Sequence, residues 1–131
     1  MADSTSLKLR PGNCVEVEGV IPQGCKMFFI NLGKDKNLVI HFMARFDFMG
    51  HKNLLIMNSM VDGVYGAEQK ETVFPFQEGK DTMICFQFEK KDKITIQLLE
   101  GKPFSFPVRL PIEEISYFAV QNLQLKSIIV K

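Results

Sequence analysis

A chain of 131 residues is long enough for one domain, residues 1–131, that buries roughly two-thirds of its unfolded surface, so neither covalent staples nor a second domain is needed. With 46% hydrophobic and 24% charged residues, the composition is that of a folded globular protein and excludes a disordered one. Sixteen Lys and Arg against 15 Asp and Glu leave a net charge of +1 spread along the chain; no single-sign field gathers phosphates or anionic lipid, and nucleic acid is excluded as a partner.

The opening MADSTSLKLR has no apolar leader stretch, and runs such as LLIM and SIIV are far too short to cross a bilayer. The expectation is synthesis in the cytosol without a signal peptide and no membrane insertion. Cys14, Cys25 and Cys85 have no CxxC spacing and leave an odd thiol, which points to free, mostly buried cysteines. His41 and His51 are the only histidines, ten residues apart with a glycine between them, so neither a metal site nor a cofactor is expected.

Taken in order, the runs SLKLR, CVEVEGV, MFFINL, LVIHFMARF, LLIMNS, TMICFQFE, KITIQLL, FSFPVRL, YFAVQ and LKSIIV are short and alternating or apolar. Turn signals separate them at Pro11-Gly12, Pro22-Gln23-Gly24, Gly33 to Asn37, Gly50, Asp62-Gly63, Glu78-Gly79, Lys90 to Asp92 and Glu100-Gly101. One-sided alternation, as in Ile84, Phe86, Phe88 against Cys85, Gln87, predicts an all-β fold of two antiparallel sheets packed as a sandwich. A single helical turn is predicted at Pro111 to Ile115, where a proline is followed by acids. The apolar residues of the two terminal runs, Leu7 and Leu9 at one end and Ile128 and Val130 at the other, suggest edge strands able to pair across a two-fold axis.

The chemistry concentrates between Leu38 and Lys70. In LVIHFMARF, alternation puts Leu38, Ile40, Phe42, Ala44 and Phe46 on a core face and Val39, His41, Met43 and Arg45 on the other. LLIMNS brings Asn58 to its end, and after the Asp62-Gly63 turn YGAEQK offers Tyr65, Glu68 and Lys70. Three neighbouring strands of this kind would present a mixed polar and aromatic patch suited to a small polar ligand. Catalysis is not expected, because Glu68 is the only acid of the patch and no serine or cysteine with a basic partner joins it. A fatty-acid carrier is the other all-β class of this size, but residues 12–37, where such carriers insert a helical lid, read as strands and turns.

These segments resemble the galectins, β-galactoside-binding lectins, of the prototype single-domain kind. The family pattern H-x-N-P-R, V-x-N, W-G-x-E-x-R is met by His41-Phe42-Met43-Ala44-Arg45, Ile56-Met57-Asn58 and Tyr65-Gly66-Ala67-Glu68-Gln69-Lys70, and Val73-Phe74-Pro75-Phe76 and Phe106-Pro107-Val108-Arg109-Leu110 look like galectin framework. The resemblance implies a jelly-roll shared by galectins and legume lectins, with a sugar groove on one sheet. The implied partners are β-galactoside glycans on glycoproteins or glycolipids and a second copy of the chain paired through the terminal strands, with export by a route that uses no signal peptide. By position, His41 and Arg45 would hold the axial 4-hydroxyl of galactose, Asn58 and Glu68 its 6-hydroxyl, Tyr65 its apolar face and Lys70 the next sugar.

Met43 stands in place of the family's asparagine, Ala44 of its proline, Tyr65 of its tryptophan, Lys70 of its arginine, and Met49 of a histidine frequent in close relatives. A thioether cannot replace an amide's donor and carbonyl. Tyrosine keeps a smaller π-face, and lysine keeps charge without the planar fork. The expected function is therefore galactoside binding with weakened or altered specificity; the alternative is a galectin-type fold that has lost lactose binding and serves as a dimeric structural or protein-interaction module.

Overall fold

The structure, a computed structural model, describes residues 3–131. Its strands are β1 (Asp3–Leu9), β2 (Cys14–Val20), β3 (Met27–Lys34), β4 (Asn37–Phe48), β5 (His51–Val61), β6 (Val64–Tyr65), β7 (Gln69–Glu71), β8 (Asp81–Lys90), β9 (Lys93–Gln97), β10 (Phe104–Pro107), β11 (Ile115–Gln121) and β12 (Gln124–Val130). They form a seven-stranded sheet in the order β1-β11-β3-β4-β5-β6, with β7 also paired to β5, and a five-stranded sheet in the order β10-β9-β8-β2-β12. Every pairing is antiparallel, as the alternating runs require. All ten predicted runs carry strands, and β6 and β7 are short additions within the YGAEQK region.

The inward residues of the two sheets form the core. Ile30, Phe42, Ala44 and Leu55 come from one sheet and Val15, Val17, Ile84, Phe86 and Ile94 from the other, all essentially inaccessible to solvent. Aromatic edges join the layers: Phe42 meets Phe86 at 5.4 Å and 85°, and Phe28, Phe42 and Phe74 each meet Phe76 nearly edge-on. Such edge-to-face pairs add to simple burial by aligning ring edges with ring faces.

The fold departs from the expected one at Val39, at Pro111 to Ile115 and in the burial of the cysteines. Val39 is buried, because the β4–β5 register shifts between Leu38 and His41; this bulge turns Val39 and Ile40 both inward before alternation resumes. The segment from Pro111 to Ile115 contains no helical turn. It crosses from the five-stranded to the seven-stranded sheet, anchored at its ends by buried Leu110 and Ile115, and Glu113 and Glu114 reach out to Lys91 at 2.8 Å and Arg10 at 3.4 Å. The two acids are thus engaged in ion pairs with other parts of the chain rather than in a first helical turn. The cysteines are free as expected, but each is half-buried rather than buried.

Candidate functional site

Cross-strand register determines which side chains share the outer face of the larger sheet. Asn31, His41 and Asn58 form one row across β3, β4 and β5; Phe29, Met43, Ile56 and Lys70 form the next, ending on β7; Met27, Arg45 and Leu54 form a third. A groove of about 270 Å³ opens over these rows, lined by His41, Met43, Arg45, Ile56, Asn58, Tyr65 and Glu68. Six of the seven residues singled out in the sequence thus meet in one hollow. Lys70 does not line it: its backbone pairs with Ile56, and its exposed side chain lies beyond the groove lining.

His41 is held by its neighbours. Its Nδ1 meets Asn31 Oδ1 at 2.5 Å, so Nδ1 carries the proton and Nε2 is left as an acceptor. The ring lies between Phe29 at 5.2 Å and Tyr65 at 5.8 Å. Burial, and secondarily the nearby Arg45 charge, push its pKa below the ordinary 6.5, so the acceptor survives into mildly acidic solution.

Arg45 donates from Nε to Met43 Sδ at 3.3 Å, and its Nη1 contacts His51 Nδ1 at 2.6 Å. The guanidinium also lies 5.6 Å from the centre of the Phe48 ring. No ion pair among the described residues involves Arg45, Glu68 or Lys70, so these charges do not form a cross-strand ladder.

Asn58 is buried, and its amide is mostly engaged. Nδ2 donates to the Gly66 carbonyl at 2.9 Å, while Oδ1 accepts from the Ser59 backbone at 2.8 Å and from Arg109 Nη1 at 3.1 Å. One N–H remains for a ligand. Arg109 also donates to Ser59 Oγ at 3.1 Å and lies over the Phe106 ring at 4.7 Å, so a residue following β10 fixes the amide from the other sheet. Gly66 leaves room for this packing, because a Cβ there would sit 3.0 Å from the Arg109 guanidinium and push it aside. Beside it Tyr65, 53% exposed, presents its ring to solvent.

Asn31, His51 and Arg109 are the supporting residues that sequence reasoning missed. In the sequence His51 reads only as a candidate metal ligand and Arg109 only as framework. Among the described residues no cluster of His, Cys, Asp and Glu suits a metal ion.

The profile of the family described as galactoside-binding lectin matches residues 2–130. Galectin-1 of Rhinella arenarum is 46% identical over 125 residues, covering 95% of this chain and 92% of that protein. The solved complex of toad ovary galectin with thio-digalactose superposes with a TM-score of 0.94 at 42% identity, covering 99% of this chain and 98% of the other. A homodimeric agglutinin from chicken liver superposes at 0.92 with 36% identity, both chains fully covered. Match to the family profile over nearly the whole length, together with these relatives, shows that the chain belongs to the galectins, the galactoside-binding lectins.

Proposed function

We propose that this chain binds β-galactoside-containing glycans in the groove between His41 and Glu68. One observation carries the reading: a single hollow combines an imidazole acceptor, guanidinium donors, a spare amide N–H, a carboxylate and an exposed aromatic face. A neutral polyhydroxylated ring matches that set, since its hydroxyls both donate and accept and its C–H face packs on an aromatic ring. Arg45 and Glu68 are opposite charges with no protein ion-pair partner among the described residues, which favours a neutral ligand over an ionic one. The galactoside bound by the toad relative agrees with this chemistry.

Affinity for simple galactosides is weaker than a groove with an amide in place of Met43 would give. The sulfur is turned to Arg45, so the floor between His41 and Arg45 offers only methylene and methyl groups. A ligand hydroxyl left unpaired there costs about 1–3 kcal/mol. The role is binding without catalysis, because the groove lining holds one carboxylate where glycoside hydrolysis uses a pair.

Assembly is proposed to be a two-fold dimer through the terminal edges. Strands β1 and β12 end their respective sheets; Ser4, Thr5, Leu125 and Ile128 line one shallow hollow between them, and Ile129 and Val130 remain exposed. A two-domain ligand array of this kind would cross-link glycans on glycoproteins or glycolipids.

Calorimetry against matched galactosides and glucosides tests the sugar reading. Saturable binding of the galactosides at millimolar concentration is expected, with loss on Glu68→Gln or Arg45→Met; no heat from any galactoside would overturn it.

A further inference from the structure

Among the described residues no carboxylate pairs with Arg45; even Glu68, which lines the same groove, lies beyond ion-pair distance. Its Nε–H goes to a thioether, its Nη1 to an imidazole, and its π-contact to Phe48. A guanidinium has only donors and keeps its charge at every relevant pH. The 2.6 Å contact to His51 Nδ1 therefore requires that this nitrogen carry a lone pair, with the ring neutral and its proton on Nε2. His41 holds the opposite tautomer, so the two histidines are set for different tasks.

The chain aims His51 by local geometry. It is the first residue of β5, paired with Phe48 directly after a two-residue turn in which Met49 and Gly50 have φ of 50° and 80°. Positive φ at both central positions matches the turn that joins antiparallel strands most tightly, so His51 returns beside Arg45 with little freedom. The neighbouring charges, Asp47 on β4 and Lys52 on β5, are cross-strand partners of each other. No carboxylate from any described strand comes within ion-pair distance of His51 or Arg45.

We propose that His51 is the positioning residue for Arg45, and that its neutral ring holds the guanidinium in the sugar-binding pose. A side chain without an acceptor at this place leaves the Nη1 N–H unpaired, so Arg45 is no longer held toward the ligand and the groove loses its guanidinium donors. The proposal rests on the galactoside reading of the same groove.

The test combines ligand titration with side-chain NMR on the full chain. Lactose affinity is expected to fall about tenfold in His51→Phe, which offers Nη1 no acceptor. His51→Asp supplies an acceptor at the same place and should keep binding. Unchanged affinity in His51→Phe, or a loss in His51→Asp as large as in His51→Phe, overturns the proposal.

Without any ligand, the Arg45 Nε resonance should be displaced in His51→Phe and return toward its wild-type position in His51→Asp. If lactose fails to bind while the Arg45 resonance still responds in this way, the sugar reading falls and the positioning role stands. If the Arg45 resonance is the same in wild type and His51→Phe, the positioning role falls whatever the sugar does.

Discussion

Met43 sits between His41 and Arg45 along β4 and turns its sulfur to Arg45 at 3.3 Å, so one side chain removes a hydrogen-bonding group from the groove and steadies its neighbour. Met43→Asn should raise lactose affinity by about one to two decades, the value of a restored buried hydrogen bond, as read by titration calorimetry; no gain would mean that the sugar does not rest on this position. Gly66→Ala probes the other wall. Its Cβ would press on Arg109 from 3.0 Å, release the clamp on Asn58 and weaken binding with little change in fold, measured by calorimetry and circular dichroism together. His41 carries a stability consequence. Because its folded pKa lies below 6.5, the unfolded chain takes up the proton first, so unfolding free energy declines as pH falls below that value and levels off once the folded ring is also protonated. Urea midpoints across mildly acidic pH should show this slope, and His41→Gln should reduce it.

At the scale of strands, the alternation of Ile84, Phe86 and Phe88 against Cys85 and Gln87 was fully legible, because a half-buried antiparallel strand writes its two faces into the sequence. The groove's front line was legible too: His41, Met43 and Arg45 share a strand face by a period of two, and Asn58 and Tyr65 follow at short separation. What escaped depends on pairing that no local pattern encodes. Arg109 reaches Asn58 across 51 residues, and Asn31 meets His41 only through the β3–β4 register. The bulge that buries Val39 is a two-strand property, and the acids after Pro111 serve distant lysine and arginine rather than a helix start. Phe86 tests the layer packing, since it meets Phe42 from the opposite sheet. Phe86→Ala should cost about 3–5 kcal/mol in urea unfolding with an unchanged denaturant slope, as expected for a cavity in a cooperative core.

For the molecule as a whole, the two sheets divide the work. The seven-stranded sheet carries the groove on its outer face, and both sheets leave a terminal strand open beside the other. Sedimentation should detect a dimer that Ile129→Lys with Val130→Lys converts to a monomer while each chain still binds lactose; a wild-type monomer at all concentrations would remove the edge-pairing proposal. On this structure the galactoside lies in the groove between His41 and Glu68 if it is bound as proposed. Chemical-shift mapping of backbone and side-chain resonances during lactose titration tests this placement most directly. Shifts confined to His41, Met43, Arg45, Asn58, Tyr65, Glu68 and their supports Asn31, His51 and Arg109 are predicted; no shifts at millimolar lactose, or shifts centred on the five-stranded sheet, would contradict it.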